Sequence, residues 1–316
     1  MFRNISKYLL IIIITTCSIS FSSEVLGQSY AWEKLRYEAY FGIGATNFMG
    51  DVGTPLNKGF KSYVWVNPQA IRPMGQIGLK MAVSPRSKVR ANLAMGMLTN
   101  DDKYGAYEKR FLQFRTFLIE LSAQYEFYFI AENRDDNNRY NNWLNLPAKL
   151  RNYLQPAYVF VGIGGIYFNP KGYTKGKWYS LHQFQTEGKD YSRISLAFPI
   201  GLGLKFKIAK YHSLYVEAGW RITTTDYIDD VSDGIILSTE EMLNKYGEIA
   251  AILFYREHGN MNSYLDNNGN FSTQGGVKRG GKWVDQYQFI TISYSVILKT
   301  NMKNRPVFDY YRFNEN

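Results

Sequence analysis

Strict alternation of apolar with small or charged residues is the feature that most constrains the fold of this chain. The stretch Arg193–Ile208 reads RISLAFPIGLGLKFKI, in which every second residue is apolar and the residues between are mostly small or cationic. A period of two is the side-chain period of a β-strand, because successive side chains point to opposite faces. This stretch therefore predicts a strand with one apolar face and one polar face.

Seven further segments alternate in the same way. The eight candidate strands lie near residues 36–48, 74–84, 88–99, 111–129, 157–168, 192–208, 213–225 and 287–299. Each has about ten residues or more, which is the length that a tilted strand needs to cross a bilayer. SPRS and AKYH are tight turns, whereas the links after the first, third, fifth and seventh strands are longer and more polar. The pattern predicts an all-β fold, an eight-stranded antiparallel transmembrane β-barrel with short periplasmic turns and long outer loops. The longest of these loops, 226–286, has room for short strands above the membrane.

The first residues are typical of a secretory leader. Arg3 and Lys7 precede the apolar run Tyr8–Ile14, and small or moderate residues precede a cleavage position before Gln28. The apolar run is too short to be a membrane-spanning helix. An alternative is a lipoprotein with Cys17, the only cysteine, at its mature end, although threonine is a poor residue before such a cysteine. We divide the chain into a signal peptide (1–27), an outer-membrane barrel (28–299) and a periplasmic tail (300–316).

Alternation alone does not separate a transmembrane barrel from a soluble barrel or sandwich, since both alternate. The large aromatic and branched residues are all assigned to the apolar face, and the opposite face is rich in Gly, Ala and Ser. Small residues suit the crowded interior of a narrow barrel. Together with the leader and the loop lengths, this favours lipid outside the barrel and polar side chains within it.

In that orientation ten charged residues are predicted to form a network in the lumen: Glu38, Lys80, Arg90, Glu120, Glu126, Arg193, Lys205, Lys207, Glu217 and Arg221. Their signs are expected to alternate, because a lone buried charge is costly. Eight strands leave an interior filled by side chains, so a wide channel is not expected. Pro199 cannot donate to the ladder and is expected to cause a bulge or a local widening.

The link 130–156 lies at the short-turn end but is long. It is predicted to hold one short periplasmic helical insertion that starts near Pro147. This helix could lie on the barrel rim at the lipid headgroups or could bind a periplasmic partner. The basic and aromatic tail emerges at the same end, since an even strand count places both termini in the periplasm. The candidate docking residues of the two segments are Trp143, Leu146, Leu150, Arg151, Tyr310, Tyr311 and Arg312.

The sequence carries little evidence of catalysis. His182 has Ser180, Glu187 and Asp190 nearby, which leaves a surface hydrolase site as a minor alternative. No pair of histidines has the spacing of a zinc site, and we predict neither an enzyme nor a cofactor. The net charge of +10 suits acidic lipid headgroups or inward-facing cations better than nucleic acid, which an exported protein rarely meets.

Two acidic loop segments are candidates for weak calcium binding. They are DDVSD at 229–233 and DNNGN at 266–270. Neither segment has the glycine and glutamate positions of a calcium loop, so a solvated loop is the better interpretation of both.

Several strand and turn sequences resemble a known family. YFGIGATNFMGDVG, VRANLAMGMLTNDDKYG, YVFVGIGGIYFNPKGY, DYSRISLAFPIGLGLKFKI and YVEAGWRITTTDYIDDVSD together resemble the PorG-like outer-membrane barrels of the type IX secretion apparatus of Bacteroidota. The resemblance implies a non-enzymatic component of the protein secretion and gliding machinery. It also implies contact with the periplasmic ring, which is built from a lipoprotein and its soluble partner, and it identifies no contact residue.

Three functional hypotheses follow from the sequence. The first is a barrel in the bacterial outer membrane that anchors or scaffolds the periplasmic ring. The second is a stand-alone small barrel that acts as an adhesin, a surface-recognition protein or a narrow pore. The third is an outer-membrane lipid hydrolase or acyltransferase that uses Ser180 and His182.

Overall fold

The structure, a computed structural model, describes residues 36–53, 66–84, 86–104, 112–129, 157–209, 211–232, 239–254 and 284–298. The leader (1–27), the insertion (130–156) and the tail (300–316) lie outside the described residues. The described strands are β1 (Tyr37–Met49), β2 (Arg72–Ser84), β3 (Ser87–Asp101), β4 (Gln113–Tyr128), β5 (Ala157–Thr174), β6 (Lys177–Ser180), β7 (Ile194–Ala209), β8 (His212–Thr223) and β9 (Gln286–Leu298).

Eight of these strands close into an antiparallel barrel. Their order around the wall is β4-β3-β2-β1-β9-β8-β7-β5, and pairing of β4 with β5 closes the ring. Each barrel strand corresponds to one of the eight predicted segments, so the predicted fold is confirmed. The short strand β6 was not predicted: it extends β5 beyond the wall as a hairpin, with Lys171 paired to Ser180 and Thr174 to Lys177.

The outer surface of the barrel is apolar. Ile43 is 74% exposed, Leu121 63% and Leu202 59%, whereas Glu217 and Arg221 on the inner face are almost completely buried. Exposed aliphatic side chains around buried charges are the reverse of a soluble barrel, and they match a wall that faces lipid. The barrel is therefore of the transmembrane type.

The half of the interior nearer the long loops is filled by an apolar plug. It consists of buried side chains from several strands and from the loop after β8: Phe48, Leu98, Phe114, Leu118, Ile166, Phe168, Ile228, Val231, Tyr287 and Phe289. The expectation that the large aromatic and branched residues all stand on the outer face is wrong for this set. The members on strands have the inward parity of their strands, and Ile228 and Val231 enter the barrel from the loop after β8.

Glycines on the wall make room for inner aromatic rings, as expected. A Cβ atom at Gly203 would collide with the ring of Tyr158, which is fully buried. Pro199 interrupts the described β5–β7 ladder without a bulge: pairing runs to Val161 and Ile200, then resumes at Gly164 and Ala197 in the same register. The effect is a local gap in hydrogen bonding, which fits a missing N–H donor.

The described part of the loop between β8 and β9 contains helices rather than the short strands for which the sequence left room. These are α1 (Thr239–Tyr246) and α2 (Glu248–Phe254). Gly247 separates them with a positive φ of 84°, and its N–H donates to the carbonyl of Leu243, as in a helix C-cap. Buried residues of both helices pack with Leu181 and Phe184 beside β6. Neither described helix has the length and apolar character to cross a membrane.

Candidate functional site

A network of ion pairs fills the half of the interior nearer the short turns, with Arg90 at its centre. Arg90 on β3 is paired with Glu217 on β8 through Nη1, and the same atom lies 3.2 Å from Glu126 Oε1 on β4. Its Nε donates to Gln124 Oε1 at 2.9 Å. β3 and β8 are four steps apart in either direction around the eight-stranded ring, so the Arg90–Glu217 pair spans the barrel axis.

Lys80 on β2 shares both of these carboxylates. Its Nζ lies 2.9 Å from Glu126 Oε1 and 3.8 Å from Glu217 Oε1, as an ion pair without a hydrogen bond. The same ammonium lies 3.6 Å from the ring centroid of Tyr215. The ring faces and the two carboxylates together replace the water that a buried cation loses.

Glu38 on β1 joins three other strands. Lys88 Nζ on β3 lies 2.6 Å from Glu38 Oε1, and Lys205 Nζ on β7 lies 3.5 Å from the same oxygen. Tyr215 on β8 donates from its hydroxyl to Glu38 Oε2 at 2.6 Å. This carboxylate is thus compensated from two sides of the lumen.

A fourth carboxylate lies close to the apolar plug. Arg221 Nε lies 3.2 Å from Glu120 Oε2, and the Tyr287 hydroxyl donates to the same oxygen at 2.8 Å. Ser122 donates to Glu120 Oε1 at 2.9 Å. The guanidinium of Arg221 also lies 4.2 Å from the ring centroid of Phe289, so the charged network and the plug are in direct contact.

Eight of the ten predicted lumen residues lie inside the barrel and are joined by these contacts: Glu38, Lys80, Arg90, Glu120, Glu126, Lys205, Glu217 and Arg221. The placement predicted for the other two, Arg193 and Lys207, is wrong. Arg193 precedes β7 at the loop end, half-buried, with its guanidinium 5.6 Å from the ring centroid of Tyr167. Lys207 is exposed, because it lies beside an irregularity at the end of β7, where the strand leaves the closed wall.

Sequence reasoning missed Lys88 and the inner tyrosines. Lys88 could have been found, since it has the same strand parity as Arg90. The tyrosines form a buried cluster with Phe160 around the ion pairs: Tyr128, Tyr158 and Tyr215. Glycines obscured the alternation only on β5, the strand of Tyr158. Tyr128 and Tyr215 have the same strand parity as Glu126 and Glu217 and could have been found in the same way as Lys88.

The described interior therefore contains five cations and four carboxylates. Its cations are Lys80, Lys88, Arg90, Lys205 and Arg221. Moving any of these charges without its partner would leave a buried charge uncompensated, at a cost of several kcal/mol. The network can hold the strands at fixed positions, and with the plug it blocks the axis at two levels.

Above the plug, loop carboxylates accept hydrogen bonds from the backbone; we call this region the outer cap. Asp102 accepts from the N–H groups of Gly53 and Leu112. Asp229 accepts from Val52 at 3.0 Å and from the amide of Val231. These contacts connect the loops that follow β1, β3 and β8.

Two further acidic residues complete the outer cap. Glu187 accepts from the amide and hydroxyl of Ser232, and Asp285 accepts from the amide of Ile228 through Oδ2. Burial raises the pKa of the Asp285 carboxyl well above its usual range, and the carboxylates of Asp229 and Asp226 raise it further. In the part of the cap that the structure describes, these carboxylates accept hydrogen bonds from backbone N–H groups and from the Ser232 hydroxyl.

The alternative hydrolase site is not assembled. Ser180 donates to Asn169 Oδ1 at 2.8 Å, while His182 Nε2 lies 2.9 Å from the carbonyl oxygen of Tyr191. Glu187 is bound to Ser232, so these side chains do not form a nucleophile–base pair. Within the described ranges, no group of three or more His, Cys, Asp or Glu side chains is arranged to hold a metal ion.

The candidate docking residues all lie outside the described residues, so their docking role stays a prediction. They are Trp143, Leu146, Leu150, Arg151, Tyr310, Tyr311 and Arg312. The second calcium candidate, 266–270, also lies outside them. In the first, Asp229 and Asp230 already bind protein donors: Asp230 accepts from Thr186 and Tyr191, each at 2.6 Å.

Solved structures with a similar fold are all distant. Neisserial surface protein A has 9% identity and a TM-score of 0.33, with 83% of this chain and 97% of that chain covered. Ail of Yersinia pestis, solved with the heparin analogue sucrose octasulfate, has 8% identity and a TM-score of 0.34, with 82% and 99% covered. CarO of Acinetobacter baumannii has 11% identity and a TM-score of 0.27, with 81% and 96% covered. Scores this low carry no argument about function.

The sequence comparisons are more decisive. No curated protein matches the chain. One family model matches residues 25–242, and its description is "Domain of unknown function (DUF6089)". The matched range includes β1 to β8 and the whole charged network. Because the match spans more than half of the chain, this protein belongs to the DUF6089 family.

Proposed function

We propose that this chain is a non-enzymatic outer-membrane barrel that anchors the periplasmic ring of the type IX secretion and gliding machinery. The observation that carries the proposal is the closed interior, above all the Arg90–Glu217 pair across the axis. The ion pairs and the plug fill the described interior, and the described residues hold no catalytic constellation, so we assign the function to the two rims of the barrel. The sequence resemblance to PorG-like barrels supplies the partner.

The energetics of the interior favour an anchor over a pore. A continuous water path would require the plug to leave and the pairs around Arg90 and Glu38 to separate, and each unpaired buried charge costs several kcal/mol. A rigid barrel transmits force between the membrane and a bound complex without rearranging. The segments 130–156 and 300–316 are the proposed contacts, because the described residues next to them, Tyr128, Ala157 and Leu298, lie at the short-turn end of the wall.

The proposal is tested by affinity purification of the full-length chain from membranes. Deletion of 130–156 or of 300–316 should reduce recovery of the ring lipoprotein and its partner, and it should reduce cargo secretion. The matched control replaces 260–280 in the outer loop with a Gly–Ser linker and should leave both readouts unchanged. Normal recovery and secretion in both deletions would refute the anchoring role.

A stand-alone adhesin or surface-recognition protein is the second candidate. The observation in its favour is the outer cap, where carboxylates such as Asp102 and Asp229 fix the loop backbone and so preorganise a surface. A gene deletion separates the two functions: secretion of cargo would be unaffected while surface attachment is lost. The narrow-pore version is tested by planar-bilayer recording, where we expect no stable open current.

A further inference from the structure

A cavity of about 290 Å³ opens on the outside of the barrel, near the loop ends of β2, β3 and β4. The outward-facing residues Met97 and Arg115 form part of its lining, and Trp178 of the β5–β6 hairpin forms another part. Its outward-facing lining residues, such as Met97 and Arg115, have the opposite strand parity to the lumen charges, whereas Arg72, the first residue of β2, has the parity of Lys80 but is only partly buried at the rim of the wall. Neither the network nor the proposed ring contact uses this cavity.

The cavity lies where the apolar band of the barrel ends. On β4, Arg115 continues the outward row that contains Phe117 and Leu121, both exposed. Trp178 is 40% exposed and packs on Tyr173, whose ring centroid is 5.3 Å away. Tryptophan and tyrosine at the end of an apolar band are typical of the lipid headgroup level. A ligand here would have its head in the cavity and its chains along the wall.

The lining is positively charged. It includes Arg72, Lys103 and Arg115 against one carboxylate, Asp101, which leaves two positive charges in excess. Lys103 is partly compensated, since its Nζ lies 3.4 Å from Asp101 Oδ2. Within the described ranges, neither arginine forms an ion pair.

The two arginines keep donors available. Arg115 Nε donates to Met97 Sδ at 2.9 Å, and its guanidinium lies 5.7 Å from the ring centroid of Trp178. A thioether is a weak acceptor, so this contact orients the Arg115 guanidinium but leaves most of its hydrogen-bonding capacity unused. Arg72 Nη1 donates to the carbonyls of Gln69 and Ile71, which leaves its other N–H groups for a ligand. Two guanidinium forks at one cavity suit a tetrahedral dianion, which accepts bidentate hydrogen bonds.

We propose that this cavity binds the phosphate of a phosphorylated glycolipid in the outer leaflet. Arg72 and Arg115 contact the phosphate oxygens, Lys103 adds charge, and Trp178 packs on the sugar or on the first part of an acyl chain. A lipid is favoured over a free anion because the lining is continuous with the lipid-facing surface through Met97. The choice of a glycolipid depends on the orientation of the barrel, with its long loops outside the cell, as in barrels of this type.

The test measures lipid binding to the full-length, detergent-purified barrel by native mass spectrometry over a salt series. The probes are a diphosphorylated lipid A, the same glycolipid without phosphates, phosphatidylglycerol and inorganic phosphate. We compare Arg72→Gln/Arg115→Gln with the control Lys189→Gln/Lys207→Gln, which removes two exposed cations outside the cavity. The cavity variant should bind diphosphorylated lipid A about tenfold more weakly or worse, and the control within about twofold of the wild type.

Each outcome decides the proposal. Preference of the wild-type barrel for the phosphorylated over the dephosphorylated glycolipid, lost as salt rises, supports it without any variant. Equal binding of those two glycolipids, or equal loss in both variants, overturns it. Stronger binding of phosphatidylglycerol would assign the cavity to a phospholipid instead. Complete competition by millimolar inorganic phosphate would assign it to a free anion.

Discussion

The lumen near the short turns and the outer cap bury carboxylates by different means. In the lumen, Glu126 and Glu217 are compensated by cations that reach from other strands. In the cap, Asp102 and Asp229 are compensated by backbone N–H groups of loops. Apart from the gap beside Pro199, the strands use their N–H groups in the ladder, so the lumen relies on side chains, whereas the loops have backbone N–H groups that no ladder uses. The difference indicates a rigid barrel held by ion pairs. The cap depends instead on backbone hydrogen bonds and on the protonation of its carboxyl groups.

Removal of Arg90 should have the largest effect, because it leaves Glu217 and Glu126 partly uncompensated. We expect Arg90→Met to lower the free energy of unfolding by about 3–5 kcal/mol, measured by urea titration in lipid vesicles. The double variant Arg90→Met/Glu217→Gln should recover part of this loss, since one orphaned charge is also removed. The control Lys207→Met should change stability by less than about 0.5 kcal/mol. Equal effects of Arg90→Met and Lys207→Met would show that the lumen charges do not hold the barrel.

Asp102→Ala should have a smaller and more local effect. It removes the acceptor of the Gly53 and Leu112 amides, and we expect a cost of about 1–3 kcal/mol in total. Hydrogen exchange should speed up at these two amides while the ladder amides of β3 keep their protection. Asp102→Asn is the matched variant, and it should be milder because its amide oxygen still accepts one bond. Loss of protection throughout β3 would mean that cap and barrel unfold together.

The pH response of Asp285 should be the smallest of the three effects. Its pKa is raised by burial and then by the neighbouring carboxylates of Asp229 and Asp226. A carboxyl with a raised pKa in the folded state stabilises the fold below its ordinary pKa, and this contribution is lost as the pH rises through the raised value. Proteolysis of the cap should therefore accelerate with rising pH in the wild type. Asp285→Asn should reduce that slope, and the exposed control Asp190→Asn should not. A slope unchanged in Asp285→Asn would contradict the assignment.

The barrel and most of its inner charges could be predicted from the sequence, because strand parity decides which side chains share a face. Parity placed Arg90 with Glu217 on the inner face before any register was known. It failed at Lys207, where the strand runs past the closed wall, and at Arg193, which precedes β7. The period-two pattern also failed to place Tyr158 on the inner face, since the glycines of β5 weaken the alternation of apolar residues.

The outer cap could not be predicted. Its contacts join residues far apart in sequence, such as Val52 and Asp229 at a separation of 177 residues. A loop carboxylate that accepts a backbone N–H has no periodic signature, and DDVSD was accordingly interpreted as a solvated loop. The external cavity was missed for a similar reason, because Arg72, Arg115 and Trp178 meet only when β2, β4 and the unpredicted hairpin are in place.

The long reach of Arg90 to Glu217 has a consequence for biogenesis. The β3–β4 hairpin can pair Arg90 with Glu126, but the Arg90–Glu217 pair forms only when the third and eighth strands of the chain face each other. A partly assembled sheet would carry uncompensated charges into the hydrocarbon core, which is strongly unfavourable. The pairing of strands that closes the barrel must then coincide with its insertion into the bilayer. A chain truncated before β9 should accordingly accumulate on the aqueous side, accessible to added protease.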